Sequence, residues 1–330
     1  MVTSDKKEGF MQNILFVIDK IEFKYFEFNK LVTNFWLIKE FLDKGRNVDI
    51  TTIPNLFLKN NLAYANTLES YNFEENIFYK KNIQKKEIDS FDLVLFRPDP
   101  PVDIDYINAT YVFDFVNTKV INSPKIIRNF NEKLHSLYFK EYMTNCLVTS
   151  SLNEIQDFLY KYKQIVVKPL NKCFGSGVMY LHEGDPNTRT IVNTLTNNET
   201  TMVMIQEFIP DVKNGDTRVL TLGDKILPYC IKKLPTKDDF KFNTHSDTFL
   251  TKAIFTKEDL NYFEPIAKKL NNMGITMAGL DVINNKIIEI NVTSPCYFIK
   301  EINNLYGVNL EKEIIEYLLK TTCYPHINIV

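Results

Sequence analysis

The sequence predicts an α/β protein that opens on a mostly parallel sheet, and three observations carry that reading. Short continuous apolar runs, beginning with Ile14-Leu-Phe-Val-Ile18, have the character of strands buried on both faces. Between them lie stretches with apolar residues at helical spacing, as in Leu31 to Leu42, closed by the stop signal Lys44-Gly45. Strand, helix and strand in that order imply right-handed crossovers and parallel neighbours.

Along the chain, Val48 to Thr52 and Leu93 to Phe96 are the next strands. Residues 53–90, rich in Asn and Lys, read as an irregular surface excursion, and the basic cluster Lys80, Lys81, Lys85 and Lys86, flanked by acids, reads as a solvated loop. A helix over Asp105 to Asn117 and a strand over Lys119 to Asn122 precede the break at Ser123-Pro124. Residues 130–205 then carry helices from Asn131, from Ser151 to Tyr162 and from Arg189 to Leu195. Their strands are Gln164 to Lys168, Val178 to Leu181 and Met202 to Gln206. The last section sets strands Thr217 to Leu222 and Lys225 to Cys230 before a helix over Lys257 to Met273. Strands Ala278 to Ile283 and Lys286 to Ile290 and a helix over Leu310 to Leu319 close it. The expected organisation is a polar extension over 1–10, an N-terminal α/β domain over 11–129, and two further subdomains over 130–205 and 206–330. Met11 is an alternative start to Met1.

Composition narrows the function. A 330-residue chain with 45% hydrophobic and 24% charged residues is ordinary for a soluble globular protein of more than one packed unit. A formal charge of -2 offers no attraction to nucleic acid or an anionic membrane. No apolar run approaches the roughly 18 residues needed to span a bilayer. The cysteines Cys146, Cys173, Cys230, Cys296 and Cys323 are scattered, which argues against zinc and a disulfide framework and for reduced thiols in a cytoplasm. Only 10 glycines are present, about half the usual share, so glycine loops are thin.

The strongest chemical signal is the run from Gly279 to Pro295, two antiparallel strands joined at Asn284-Asn285. Glu289 and Asn291, two apart, point the same way, and Asp281 meets them from the facing strand. Two carboxylates and an amide oxygen form a hard-oxygen site suited to Mg²⁺ carrying phosphates. The apolar neighbours Leu280, Val282, Ile288, Ile290 and Val292 mark the pair as buried, where acids without a cation would be costly. Basic residues on separate elements supply phosphate contacts: Lys133, Lys168 at the end of an apolar strand, and Arg218. Asp216 is placed to accept hydrogen bonds from a ribose. The turn Gly175-Ser176-Gly177 offers backbone N–H groups to phosphates, yet matches neither a Walker A nor a dinucleotide fingerprint, so a nucleotide between two antiparallel sheets fits better.

These residues resemble a family. Arg97-Pro-Asp-Pro-Pro101, Asn131-Glu-Lys-Leu134, Val167-Lys-Pro-Leu170, Asn214-Gly-Asp-Thr-Arg218 and Glu289-Ile-Asn-Val-Thr-Ser-Pro295 follow the order and spacing of bacterial glutathione synthetase, over roughly residues 13–320. The resemblance implies an ATP-grasp fold behind the N-terminal parallel-sheet domain. It also implies ATP and Mg²⁺ or Mn²⁺ as cofactors, γ-glutamylcysteine and glycine as substrates, and a homo-oligomer. By carry-over, Lys133, Lys168, Gly175, Ser176 and Gly177 face the phosphates, Gln206, Glu207, Phe208 and Ile209 the adenine, and Asp216 the ribose. Asp281, Glu289 and Asn291 take the metal, Arg218 stabilises the phosphorylated intermediate, and Arg97, Lys233, Asn291, Thr293 and Ser294 face substrate.

Departures gather in the loops. The family's Asp-Gly-x-Gly-Gly reads Asn171-Lys-Cys-Phe-Gly175, its Arg-Gly-Asn reads Lys241-Phe-Asn243, and its pocket arginine reads Lys233. Near the start, Ile18-Asp-Lys20 stands for Met-Asp-Pro. Lysine keeps the charge of arginine but loses the bidentate fork. Three function classes are therefore weighed: glutathione synthesis, ligation of another amino-acid or peptide pair, and a nucleotide-binding protein without catalysis.

Overall fold

The computed structural model describes residues 12–19, 33–74, 76–173, 175–234 and 250–322. Its opening is β1 (Asn13–Ile18), α1 (Thr33–Asp43) and β2 (Asn47–Thr52), with β1 and β2 parallel and Ile14 opposite Val48. The 1–10 extension, Met11, Lys20 and the expected helix start at Leu31 lie outside the described residues, as do Phe174, Lys241-Phe-Asn243 and Cys323.

Residues 53–90 are not irregular. They hold β3 (Leu56–Lys59), β4 (Leu62–Phe73), β5 (Asn76–Tyr79) and β6 (Gln84–Glu87). The long β4 pairs antiparallel with β2, β3, β5 and β6. Its buried face is built from Ala63, Ala65 and Thr67, small or polar residues that hide the alternation an apolar strand would show. Half of the basic cluster is the solvated loop expected: Lys80 and Lys81 lie exposed between β5 and β6, with Lys80 reaching Glu69 at 2.5 Å. Lys85 and Lys86 lie on β6 instead, where Lys86 pairs with the buried Asp49 at 2.7 Å and Lys85 lies 4.5 Å from the Tyr64 ring centroid.

The first sheet continues with β7 (Leu93–Phe96), α2 (Ile104–Val112), β8 (Val120–Ile121) and α3 (Pro124–Asn129). Here β7 lies parallel between β1 and β8. Asp103 caps α2 by accepting from the Tyr106 N–H at 2.9 Å, and the helix tightens into a 3-10 turn over Phe113–Phe115, short of the expected Asn117.

The helix expected from Asn131 is a 3-10 segment, Leu134–Tyr142. A four-stranded antiparallel sheet follows from β9 (Cys146–Thr149), α4 (Leu152–Tyr162), β10 (Gln164–Pro169), β11 (Met179–His182), α5 (Thr188–Leu195) and β12 (Val203–Glu207), in the order β11-β10-β12-β9. The third sheet comes from β13 (Asp216–Leu222), β14 (Lys225–Ile226), β15 (Ile231–Lys233), β16 (Leu250–Lys252), β17 (Met277–Ile283) and β18 (Lys286–Asn291). The helix α6 (Lys257–Asn272) precedes β17, and α7 (Ile299–Tyr306) and α8 (Leu310–Thr322) follow β18. The strand expected over Lys225 to Cys230 breaks into β14 and β15 around Pro228, which has no N–H to give to a ladder.

Two cores position the third sheet. On one face Leu220, Leu222 and Met277 meet Phe35 and Phe41 of α1, Ile14 and Phe16 of β1, and Ile314 and Leu318 of α8. On the other, Val219, Leu280, Val282 and Ile287 pack on Phe263, Ile266 and Leu270 of α6. The buried Asn122, just past β8, bolts the first sheet to the third. Its Nδ2 donates to the carbonyls of Met277 at 2.7 Å and Val292 at 2.8 Å, and its Oδ1 accepts from the Met277 N–H at 2.8 Å.

Candidate active site

Side chains alternate along β13, so Asp216 and Arg218 share a face with Leu220 and Leu222. That face is apolar where it meets the first sheet and ionic beyond it. Register extends the ionic patch: Arg218 lies opposite Asp281, Asp281 opposite Glu289, Gly279 opposite Asn291, and Asp216 opposite Lys233. Asp216, Lys233, Asp281 and Glu289 of the patch form one wall of a cleft open to solvent, whose other wall is the four-stranded sheet.

Lys168 enters the cleft because it shares a face of β10 with Val166, which lines the same cleft. The register of β17 and β18 shifts after Asp281, leaving Ile288 out of the ladder, and the Ile288 carbonyl accepts from Lys168 Nζ at 3.2 Å. Burial draws the Lys168 amine below its ordinary range, and Glu289 opposes that pull. Lys133, 6% exposed, reaches Glu289 Oε1 at 3.0 Å and donates to the Lys172 carbonyl at 2.5 Å. Gly175, Ser176, Gln206, Glu207, Phe208 and Ile209 line the same cleft. Gly177 does not: it packs on Pro169, with a positive φ of 72°.

The structure brings Asp281, Glu289 and Asn291 onto one face, as expected, but gives Asp281 protein partners that the sequence did not suggest. Arg218 holds it through Nε to Oδ1 at 2.8 Å and Nη2 to Oδ2 at 3.1 Å; Lys233 Nζ stands 3.0 Å from Oδ1, and Asn291 Nδ2 donates to Oδ2 at 3.1 Å. The argument that buried acids require a cation is thus met by Arg218 and Lys233 themselves. Burial works against the Asp281 anion, yet these two cations hold its carboxyl far below the usual range. Lys233 also pairs with Asp216 at 2.7 Å. Burial pushes Asp216 up to about 6 against the pull of Lys233. Its Oδ1 is buried with no hydrogen-bond partner among the described residues, an acceptor inside the cleft.

For a divalent metal the donor set fits. Asn291 directs Nδ2 to Asp281 and to the Gly279 carbonyl at 3.3 Å, which leaves its amide oxygen for another partner. The Glu289 side chain keeps 25% of its surface exposed. Both are hard oxygen donors.

The expected substrate residues divide. Lys233 is in the cleft. Arg97, Thr293 and Ser294 gather instead where the first sheet meets the end of β18, each already bonded. Arg97 donates to Asn34 Oδ1 at 2.7 Å and to the Pro295 carbonyl at 3.0 Å, and Ser294 bonds Asp99. Glu132 accepts through Oε1 from the N–H groups of Val292 at 2.6 Å and Thr293 at 3.0 Å, and from Thr293 Oγ1 at 3.1 Å. Sequence reasoning passed over Glu132. The one signal for it was an acid directly beside a lysine in Asn131-Glu-Lys133.

Two facing sheets, with lysines on one side of a cleft and carboxylates on the other, define an ATP-dependent ligase of the ATP-grasp fold. The crystal structure of the D-cycloserine synthetase DcsG shares that fold, with a TM-score of 0.65 at 13% identity over 94% of this chain and 99% of that one. The chain belongs to the prokaryotic glutathione synthetase family: residues 12–128 match its N-terminal domain and residues 132–307 its ATP-grasp domain. It is 31% identical over 294 residues to the glutathione synthetase of Buchnera aphidicola subsp. Baizongia pistaciae, covering 87% of this chain and 90% of that one. It is likewise 31% identical to the glutathione synthetase of Vibrio vulnificus strain YJ016, covering 86% and 91%. Use of ATP and of a divalent metal comes with that membership. Among the described residues no helix is long and apolar enough to cross a membrane.

Proposed function

We propose that the chain joins γ-glutamylcysteine to glycine, with Mg²⁺ or Mn²⁺ as the metal, as a cytoplasmic homo-oligomer. The observation that supports this most is the register-paired row Arg218, Asp281 and Glu289 facing Lys168 across the cleft, in a chain 31% identical to glutathione synthetases. In this reading residues 11–129 form the substrate-side domain, 130–205 the lid over the nucleotide, and 206–330 the metal-bearing subdomain.

Gln206, Glu207, Phe208 and Ile209 hold adenine, and the unpartnered Asp216 Oδ1 accepts from a ribose hydroxyl. Lys133, Lys168 and the Gly175-Ser176 turn neutralise the phosphates, with Gly177 shaping the turn. Asp281, Glu289 and Asn291 would hold the metal, which would supply charge neutralisation for the phosphates. A carboxylate oxygen of γ-glutamylcysteine attacks the γ-phosphorus, the bond to the β-phosphate oxygen breaks, and ADP leaves. The glycine nitrogen then attacks the acyl carbon, phosphate departs with its bridging oxygen, and the amine loses a proton. Arg218 lies where it can neutralise the tetrahedral charge of that second step, and Arg97, Thr293 and Ser294 shape the substrate end. Catalysis of this kind rests on positioning and electrostatics.

A second reading, ligation of a different pair, is favoured by Lys233. Its amine is held by Asp216 and Asp281 rather than presented to a substrate. ATP-dependent phosphate release with a panel of carboxylates and amines separates the readings. Release with γ-glutamylcysteine plus glycine supports the first, and release with another pair but none with these sinks it. Measurable ATP binding without release for any pair points to a protein that has lost catalysis.

A further inference from the structure

Residues 131–133 sit between the loop after β10 and the end of β18 and touch both. Asn131 Nδ2 donates to the Leu170 carbonyl at 2.9 Å, while its Oδ1 accepts from the N–H groups of Lys133 at 3.1 Å and Leu134 at 2.9 Å, which fixes the turn. From that fixed turn two neighbouring side chains diverge. Lys133 runs to Glu289 and to the Lys172 carbonyl. Glu132 runs to Val292 and Thr293, taking two backbone N–H groups and one hydroxyl on a single oxygen. Its own carbonyl accepts from the Ile290 N–H at 3.4 Å. The segment so gripped begins one residue after Asn291 and leads into Ser294, bonded to Asp99, and Pro295, whose carbonyl receives Arg97.

We propose that Glu132 is a positioning residue for the reaction. Its carboxylate sets the 292–295 segment, and through it the substrate end of the site, relative to the lysine that follows it in sequence. Charge-assisted bonds to backbone N–H groups are strong and directional, so one side chain can fix a segment that has left the β18 ladder. The arrangement accounts for an acid kept beside Lys133 although burial, with Glu289 nearby, works against its ionisation. The proposal deepens the ligase reading and rests on it for the identity of the substrates.

The test compares wild type with Glu132→Ala and Glu132→Gln in steady-state phosphate release, with ADP affinity measured by titration. A misplacement of this kind far from the bond being made should lower kcat/KM for the carboxylate substrate about tenfold to a hundredfold in Glu132→Ala. The KM for ATP and the affinity for ADP should stay within about twofold, because the adenine and ribose contacts lie elsewhere. Glu132→Gln, which keeps an accepting oxygen at the same reach, should recover to within about fivefold of wild type. Unchanged substrate kinetics in Glu132→Ala, or an equal loss of ADP affinity, would overturn the assignment. Should the wild type join another pair, the same split is read with that pair. Should it join none, amide exchange decides: faster exchange at Val292 and Thr293 in Glu132→Ala with ADP affinity retained supports the grip, and unaltered exchange there overturns it.

Discussion

Gly279→Ala tests how tightly the ionic patch is built. Gly279 lies on β17 opposite Leu220 and Asn291, and Arg218 crosses directly over it to reach Asp281 and the Cys296 carbonyl. A Cβ at 279 would stand 2.9 Å from Arg218 Cδ and 3.0 Å from Nη1, so the arginine has to move. It has little room: it is 6% exposed, its guanidinium forks onto Asp281, and its Cζ lies 5.7 Å from the Phe298 ring centroid. Overpacking a filled site costs about 1–3 kcal/mol. Each charge-assisted bond lost adds about 1.5–3 kcal/mol. Lys233 and Asn291 still hold Asp281, so the total should stay below the roughly 5 kcal/mol upper end for stripping a buried pair. We expect Gly279→Ala to destabilise by about 2–4 kcal/mol in urea unfolding. Turnover should fall between about tenfold and several hundredfold, the range for displacing a donor that stabilises developing charge. Stability within about 0.5 kcal/mol of wild type together with unchanged turnover would refute the packing argument. Lost stability with full turnover would instead leave Arg218 structural and remove it from the chemistry.

Glu289→Gln should abolish turnover while circular dichroism stays close to wild type, with the urea midpoint lowered because the buried Lys133 loses its counter-charge; undiminished phosphate release refutes the metal assignment. Asn122→Ala strips three buried backbone groups of their partners and should cost about 2–4 kcal/mol in urea unfolding, with an intact midpoint refuting the bolt between the sheets. Asp89 accepts from the N–H groups of Asn117 and Thr118 and from Asn117 Nδ2; burial opposes the anion, but these bonds prevail and its carboxyl lies below the ordinary 3.8. A depressed acid contributes stability that is present above its unfolded value and lost as pH falls through the folded one, so Asp89→Asn should cost about 1 kcal/mol at pH 7 and progressively less below about pH 3.8. A cost that does not shrink in acid would assign the effect to packing.

What the sequence revealed of the fold follows where apolar residues sit. The strands β1 and β7 are buried on both faces and written as continuous apolar runs, and β10 and β17 carry such runs beside Lys168 and Asp281, whereas β2 shows itself by Val48 and Ile50 alternating with polar residues. The strand β4 was missed for the opposite reason. One face carries Ala63, Ala65 and Thr67 inward and the other alternates Tyr64, Asn66, Leu68 and Ser70, so neither an apolar run nor a clean apolar alternation is written. Near β15 the spacing misled as well: Pro228 carries no visible burial signal, yet it moves the strand start to Ile231.

The site was legible to the same degree that it depends on period-two alternation. Glu289 and Asn291 share a face by alternation alone, but the two-residue hairpin continued in register would set Asp281 opposite Ile288; the bulge that leaves Ile288 out of the ladder brings Asp281 opposite Glu289, and no local spacing reports it. The pairing of Arg218 with Asp281 and of Lys233 with Asp216 depends on which strands are neighbours in a sheet ordered β16-β15-β13-β17-β18, and no local spacing reports that order. This changes the meaning of the buried acids. Read along the chain, they lack a counter-charge and demand a metal. Read across the sheet, each acid already faces a cation, with Asp216 and Asp281 set against Lys233 and Arg218 and Glu289 set against Lys133. A metal held by Asp281, Glu289 and Asn291, as proposed, would therefore compete with ammonium and guanidinium groups for the same oxygens. Phosphates arriving with it would give those groups new anions to face. Metal and nucleotide affinity should accordingly be coupled, each raising the other when titrated separately and together, and binding that proves independent would show that the lysines and arginine keep their carboxylates throughout.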